Sequence, residues 1–261
     1  MTSPDPSDRN QSLADLTPEQ RALLVLRMRQ KAAQREPQAS DTPPLRPALR
    51  PESGEMPLSF AQQRLWFMEQ WQPGGAAYNI PAALRIEGRL DVAAFRWSFD
   101  EIVRRHEALR VRIDAHRPVQ VVLPAGPLPV PVVDLEAVPE PARAAEMRRR
   151  MQEEALRPFD IARDRLLRVT LLRLGAAEHV VVFNMHHIVS DGWSIAVLVS
   201  EFTALYAARI EGLPAPLPEL PVQYPDYAAW QRGWLSDEVL ETQLAYWRRM
   251  LDGAPAATTL P

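Results

Sequence analysis

Two adjacent histidines, His186 and His187, end an apolar run and begin the polar part of the segment MHHIVSDGWS, residues 185–194. A neutral imidazole, whose ordinary pKa is about 6.5, can take a proton from an attacking amine or alcohol at neutral pH. Because neighbouring residues of a strand point to opposite faces, one histidine is expected to face the protein interior and the other a cleft. The segment is therefore the strongest candidate for general-base chemistry in the chain.

Two other interpretations of this segment stay open on spacing alone. In the first, both histidines are structural and Asp191 caps a helix that follows at 192–211. In the second, His186, His187 and Asp191 bind a metal ion, although the opposed directions of adjacent histidines disfavour a shared ligand.

The sequence lacks the residues that several other catalytic mechanisms need. The chain of 261 residues has no cysteine, which excludes disulfides, thiolate metal sites and cysteine nucleophiles. The stretch HEALR at 106–110 has Arg110 where a zinc helix would have its second histidine. Ser190 lies in VSDG, without the flanking glycines of a nucleophile elbow. With only 10 glycines, the sequence also offers no Walker loop or dinucleotide fingerprint.

Composition and charge argue against three further classes: nucleic-acid binders, secreted proteins and membrane proteins. The formal net charge of −3 argues against a dedicated nucleic-acid binder. The polar N-terminus lacks the layout of a signal peptide, and no uncharged stretch approaches the roughly 20 apolar residues of a membrane span. These features predict a cytoplasmic protein without nucleic-acid or membrane partners.

The elements around the histidines are expected to form a layered domain. The run HVVVFNM at 179–185 has no polar alternation, which predicts a strand buried on both faces. After the polar loop, apolar residues recur from Ile195 to Tyr206 at the spacing of a core-facing helix stripe. Further helices are predicted at 60–71, 91–106, 140–156, 224–235 and 237–251, and further strands at 80–87, 109–113, 119–123 and 166–174. This is an α/β or α+β sandwich, a mixed sheet covered by helices.

A different organisation is predicted upstream. Thr17 and Gln20 match the two polar positions of a capping box, and Pro18 matches the first helical position. Together they predict a helix over 17–35. The segment 36–55 is too rich in proline to pack regularly and is interpreted as a linker. The predicted organisation is a helix and linker at 1–55 followed by the main domain at 56–261.

The segment MHHIVSDGWS at 185–194 resembles the HHxxxDG motif of nonribosomal peptide synthetase condensation domains. Three more segments resemble core motifs of that family in the same order: LSFAQQRLWFMEQ at 58–70, RRHEALRVRI at 104–113 and YPDYAAWQ at 224–231. The intervening YNIPAALRIEGRLD at 78–91 is also typical of the family. The intact histidines argue against the cyclising subtype, and Trp193 directly after Gly192 is similar to peptide-bond-forming members.

The resemblance implies an acyltransferase that forms a peptide bond between two carrier-bound substrates. A donor thioester on one carrier's phosphopantetheine arm would react with an amine on a second carrier, so no cofactor would bind the domain directly. His187 would hydrogen-bond the amine or take its proton. Asp191 would orient the loop through a buried ion pair, with Arg105 or an arginine of a second lobe, and Gly192 would keep the channel floor open.

The other matched residues are assigned to the channel or to the structural frame around it. These residues are Arg64, Arg105, His106, Arg110, Trp193 and Ser194. For the three arginines and His106 the structural role is favoured. His186 belongs with His187, Asp191 and Gly192 to the catalytic motif that the resemblance implies, and it is expected to face inward.

The resemblance covers the N-terminal lobe of a two-lobed, chloramphenicol-acetyltransferase-like domain, and the C-terminal lobe is expected to be absent. The partners implied are the donor and acceptor carrier proteins, the C-terminal lobe and adjacent synthetase modules. Residues 1–261 alone are expected to be inactive and to expose an apolar surface. One alternative stays open, a noncatalytic carrier-docking module or half of a split enzyme. A free-standing acetyltransferase-like trimer would share the HHxxxD signature but would not explain the other three motifs. A docking role for residues 1–55 is open as well.

Overall fold

The computed structural model describes residues 42–255 and residue 257, so the helix predicted at 17–35 lies outside the described residues. Seven strands are described: β1 (Glu55–Pro57), β2 (Asn79–Glu87), β3 (Val111–Ile113), β4 (Val119–Val122), β5 (Val132–Asp134), β6 (Leu167–Gly175) and β7 (Glu178–His186). Six α-helices are described: α1 (Phe60–Trp71), α2 (Val92–Arg105), α3 (Ala142–Leu156), α4 (Gly192–Ile210), α5 (Tyr224–Trp234) and α6 (Asp237–Met250). A 3-10 turn, Glu107–Arg110, joins α2 to β3.

The larger sheet has the strand order β2-β7-β6-β5 and carries the histidines on an inner strand. Its strands pair antiparallel except for β5 and β6, which are parallel. From His179 to His186 every residue of β7 is buried, which confirms the prediction of a strand covered on both faces. The mixed sheet with helices also confirms the predicted fold class.

Side chains of β7 alternate between two apolar layers. Val181, Phe183 and Met185 pack in the main core with residues of α2 and α4. Val180 and Val182 pack on the opposite face with residues that include Met147 of α3. The same alternation gives His186 and His187 opposite directions where the strand ends.

A second, smaller sheet with the order β1-β4-β3 stands beside the motif loop. Its core contains Leu58, Val111 and Ile113, and Ile188 of the loop after β7 belongs to the same cluster. The loop is thereby anchored between the two sheets.

The structure differs from the sequence predictions at three places. Residues 107–110 form a 3-10 turn where the strand was expected to begin at 109, and β1 and β5 were not predicted. Residues from Pro44 onward belong to the same compact unit as the lobe. Part of the predicted linker is therefore packed: the Ala48 amide donates to Asp226 and the Arg50 guanidinium pairs with Glu107.

Helix α4 passes a length-and-composition test for a membrane span, the one helix among the described residues that does so. Core helices pass the same test. In this structure Leu198, Leu205 and Ala208 are buried, and α4 packs against α2.

Candidate active site

The loop between β7 and α4 is held by its own backbone and by the neighbouring edge strand. The His187 amide donates to the Tyr78 carbonyl at 2.8 Å. The carbonyl of His186 accepts from the Val189 amide and from the Ser190 hydroxyl, each at 3.1 Å. These bonds fix the path of the chain on both sides of His187.

His187 is exposed and faces a cavity of about 300 Å³. Its Nδ1 lies 2.8 Å from the carbonyl oxygen of Ser190. Because a carbonyl oxygen only accepts, Nδ1 of a neutral ring must carry the proton, and Nε2 then keeps an unshared electron pair. Other residues that line this cavity are Gln62, Arg64, Leu65, Tyr78, Asp191 and Tyr224.

His186 has the opposite hydrogen bonding and the opposite exposure. Its side chain is 2% exposed, its Nδ1 accepts from the Ile188 amide at 3.1 Å, and its Nε2 lies 3.3 Å from Glu69 Oε1. Since the Ile188 amide only donates, the proton of neutral His186 is on Nε2. Burial, with a smaller contribution from His187, lowers the pKa of His186 to about 4. The predicted orientation, His186 inward and His187 toward a cleft, is confirmed.

Asp191 does not form the predicted buried ion pair with Arg105, which pairs with Glu201. The alternative partner, an arginine of a second lobe, stays a prediction. It is exposed and is the N-cap of α4, where its Oδ1 accepts from the Ser194 amide at 2.9 Å and the Ser194 hydroxyl at 2.7 Å. These bonds lower the pKa of Asp191. The helix-capping interpretation of Asp191 is therefore right, because a short polar side chain at this position satisfies amides that the first helical turn leaves unpaired.

Arg105 pairs with Glu201 of α4 instead. The Arg105 side chain is 3% exposed, and its guanidinium meets the Glu201 carboxylate at 3.2 and 3.3 Å. His106 Nε2 lies 2.7 Å from the same carboxylate. Burial raises the pKa of Glu201, but the hydrogen bonds from Arg105 and His106 outweigh burial, and the pKa is lowered overall. Arg110 donates to the Leu123 carbonyl, so all three motif residues tie elements together, in keeping with the structural role favoured for them.

Arg64 was expected to be structural, but it lies at the cavity. Its side chain is exposed in the cavity wall beside His187, and no hydrogen bond or ion pair holds it within residues 42–255. It contributes a positive charge to the cavity that His187 also lines. The structure therefore gives no support to a framework role for Arg64.

Gly192 and Trp193 begin α4 at the surface. A Cβ atom at Gly192 would meet no described atom within 4 Å, so the residue borders open space, and nothing in the described chain requires a glycine there. Trp193 is 81% exposed and borders a second cavity of about 200 Å³. That cavity is mainly apolar, and its other lining residues include His106, Leu109, Met185, Val197 and Leu198.

Metal binding is not supported by the geometry. Among the described residues no three His, Asp or Glu side chains are grouped so that they could hold an ion. His186 and His187 point to opposite faces, as argued above. The described residues therefore give no support to the metal interpretation of the motif.

Sequence reasoning missed Glu69, Tyr78 and Tyr224 as residues of the site. The Glu69 carboxylate contacts His186, and the other two residues line the His187 cavity. Glu69 follows Gln62 and Leu65 at helical spacing on the buried face of α1, so an acidic residue on an inward stripe was an available signal.

The segments that resemble family motifs converge on the loop. Gln62 of α1 donates to the Ile188 carbonyl at 3.2 Å, and the Ser59 and Tyr224 hydroxyls are 3.0 Å apart. A model of the family described as "Condensation domain" matches residues 52–261. The chain belongs to the condensation-domain family. The matched range covers every element of the fold, from β1 to α6.

Curated relatives of this condensation-domain chain are much larger proteins. Chondramide synthase cmdD of Chondromyces crocatus is 46% identical over 203 residues, which are 77% of this chain and 5% of the relative. Phosphinothricin tripeptide synthetase PhsC of Streptomyces viridochromogenes is 41% identical over 256 residues, 97% of this chain and 23% of the relative. The chain thus spans a small part of the synthetases that it matches.

Solved structures show the same fold. The X-domain from teicoplanin biosynthesis is 31% identical, with a TM-score of 0.72 over 84% of this chain and 48% of that one. The starter condensation domain of rhizomide synthetase RzmA is 22% identical, with a TM-score of 0.68 over 77% of this chain and 49% of that one. This chain therefore spans about half the length of the domains that it resembles.

Proposed function

We propose that this lobe takes part in peptide-bond formation in a nonribosomal peptide synthetase, with His187 as the group that accepts a proton from the attacking amine. The observation that carries the proposal is the Nδ1 bond from His187 to the Ser190 carbonyl at 2.8 Å. That bond leaves Nε2 as the acceptor on a ring that is exposed at a cavity. A hydrogen-bond acceptor of this kind suits an amine that must lose a proton as it attacks.

The reaction would join two carrier-bound substrates. The amine nitrogen on the acceptor carrier attacks the carbonyl carbon of the donor thioester, a C–N bond forms, and the C–S bond breaks. The amine proton passes to His187 Nε2, and the departing phosphopantetheine thiolate takes up a proton. Because a thioester is already activated, holding the two substrates together would supply a large part of the acceleration.

The remaining site residues would prepare the loop rather than react. Asp191 and Ser194 cap α4 and hold the end of the loop, while His186 fills its inner side. Arg64 would place a positive charge at the cavity wall beside His187. The phosphopantetheine groups would arrive on the carriers, so the lobe itself would need no bound cofactor.

The proposed partners are a donor carrier, an acceptor carrier, a second lobe and the adjacent synthetase modules. Large apolar side chains that are 45% to 81% exposed support contacts with such partners: Phe67, Trp71, Trp193, Tyr246, Trp247 and Met250. We propose that residues 1–261 alone form no product, because the channel would need walls from both lobes. A cytoplasmic location stays a prediction from the sequence.

The decisive experiment is a single-turnover condensation between two loaded carriers in the synthetase that contains this lobe. His187→Ala should lower the rate by about 10²–10⁴-fold, the range for a lost general base. His116→Ala is the matched control, because His116 is an exposed histidine outside the cavities that His187 and Trp193 border. If His187→Ala keeps the wild-type rate, the proton-accepting role is wrong. If the wild-type protein gives no product while the carriers still bind, the result favours the alternative of a noncatalytic docking module.

A further inference from the structure

Glu69 is an acidic side chain on the inward face of α1, and the reaction steps above do not use it. Its side chain is 10% exposed. Within the described chain its one polar partner is His186, whose Nε2 lies 3.3 Å from Glu69 Oε1. Burial raises the pKa of Glu69, and the nearby Asp160 adds to this shift. No arginine or lysine side chain compensates the carboxyl group in residues 42–255.

Glu201, a second glutamate whose side chain is largely covered, has a different set of partners. Glu201 also contacts a histidine, His106, but it is paired with Arg105, which holds its carboxylate in the charged form. Burying a carboxyl group without a cation is costly. The position of Glu69 is therefore better explained by what it does for His186 than by a gain in ion-pair energy.

The contact with Glu69 fixes which nitrogen of His186 carries the proton. Glu69 accepts from Nε2–H, while Nδ1 stays free to accept from the Ile188 amide at 3.1 Å. Each bond requires the same tautomer, so the two bonds reinforce each other. A ring turned over about its χ2 angle would place Cδ2 toward the Ile188 amide and Cε1 toward Glu69, and both bonds would be lost.

The orientation of His186 is transmitted to the cavity through the loop backbone. The His186 carbonyl accepts the Ser190 hydroxyl, and the Ser190 carbonyl in turn accepts His187 Nδ1–H. Ile188, whose amide bonds to the His186 ring, is buried in the small-sheet core. Loss of the His186 orientation would therefore loosen the carbonyl that sets the His187 tautomer.

We infer that Glu69 is a positioning residue, which acts through His186 and the loop 187–190 to hold His187 in its proton-accepting orientation. The inference rests on the proposed function, since it gives that function its supporting residue. A leucine at position 69 would leave His186 Nε2–H buried without an acceptor. A glutamine offers an acceptor oxygen at the same place without the ionisable group.

The test compares Glu69→Leu and Glu69→Gln in the synthetase with Glu101→Leu as the control. Glu101 is a matched helical glutamate, 16% exposed, that pairs with Arg104 and lines neither of the two cavities beside the motif loop. Glu69→Leu should lower the single-turnover rate by about 10²-fold, the cost of a misplaced catalytic group, with KM for the loaded carriers unchanged. Glu69→Gln should restore the rate, and Glu101→Leu should leave it unchanged.

Hydrogen–deuterium exchange supplies a readout that does not depend on activity. In Glu69→Leu the amides of the loop 187–190 should exchange faster, whereas Glu69→Gln and Glu101→Leu should keep the wild-type pattern. Wild-type exchange and rate in Glu69→Leu would overturn the inference while leaving the role of His187 intact. Equal losses of rate in the leucine and glutamine variants would also overturn it. An inactive wild-type enzyme with faster loop exchange in Glu69→Leu would instead count against the proposed function alone.

Discussion

His186 and His187 are neighbours in the chain, yet their rings make opposite hydrogen bonds. Nδ1 of His186 accepts from an amide, whereas Nδ1 of His187 donates to a carbonyl. One ring is buried and the other is exposed at a cavity. The role of each histidine therefore follows from the backbone group beside its Nδ1 and from the face of the strand on which it lies.

The largest expected difference between the two residues concerns stability. His186→Ala should lower the free energy of unfolding by about 2–4 kcal/mol, because it leaves a cavity and deprives the Ile188 amide and Glu69 of their partner. His187→Ala should change it by less than about 0.5 kcal/mol, as for other exposed positions. Urea unfolding of both variants measures this. The reverse order would mean that the two faces are assigned backwards.

The next expected difference concerns pH. Burial lowers the pKa of His186 to about 4, so between pH 6.5 and 4 the unfolded state binds more protons than the folded state. The stability that neutral His186 contributes should therefore be fully present above pH 6.5 and should be lost as the pH falls toward 4. Between pH 7 and 5 the wild type should lose about 2 kcal/mol more than His186→Gln, at 1.36 kcal/mol per pKa unit. Glu69 is present in both proteins, so its own titration largely cancels. The free energy of unfolding of both proteins is measured at pH 7 and at pH 5. If wild type and His186→Gln lose the same amount, the burial of a neutral imidazole at position 186 is contradicted.

The smallest expected effect belongs to Asp191. Asp191→Ala should cost about 1 kcal/mol, the usual effect of losing an N-cap, rather than the roughly 3–5 kcal/mol of a broken buried ion pair. Asp191→Asn should retain most of the stability, because an amide oxygen can still accept from the Ser194 amide. Thermal or urea unfolding of the two variants separates the two explanations. A loss near the larger value would contradict a purely capping role and favour a buried ion pair.

Much of the fold was predictable because its signals are local. The apolar run before His186 and the helical stripe after it led to elements close to those observed. The short strands β1 and β5, of three residues each, were missed. Their pairing depends on distant partners, β4 and β6, which no local pattern records.

Within the site, strand alternation was enough to assign the two histidine faces. The partner of Arg105 was predicted wrongly, because an ion pair between α2 and α4 depends on how the helices pack. Glu201 lies 10 residues beyond Asp191, further along the same helix, and only the packed structure brings it to Arg105. The hydrogen bond from His187 to the Ser190 carbonyl was likewise beyond a sequence pattern, since it involves a backbone oxygen.

The most direct test of the account is the tautomeric state of the two rings, read from the two-bond ¹⁵N–¹H correlation spectrum of the chain near neutral pH. With five histidines in the sequence, the signals of His186 and His187 can be assigned by single substitutions. We expect opposite tautomers: Nε2–H for His186 and Nδ1–H for His187. If both rings carry the proton on Nε2, His187 has no acceptor nitrogen toward the cavity, and the proton-accepting role is contradicted.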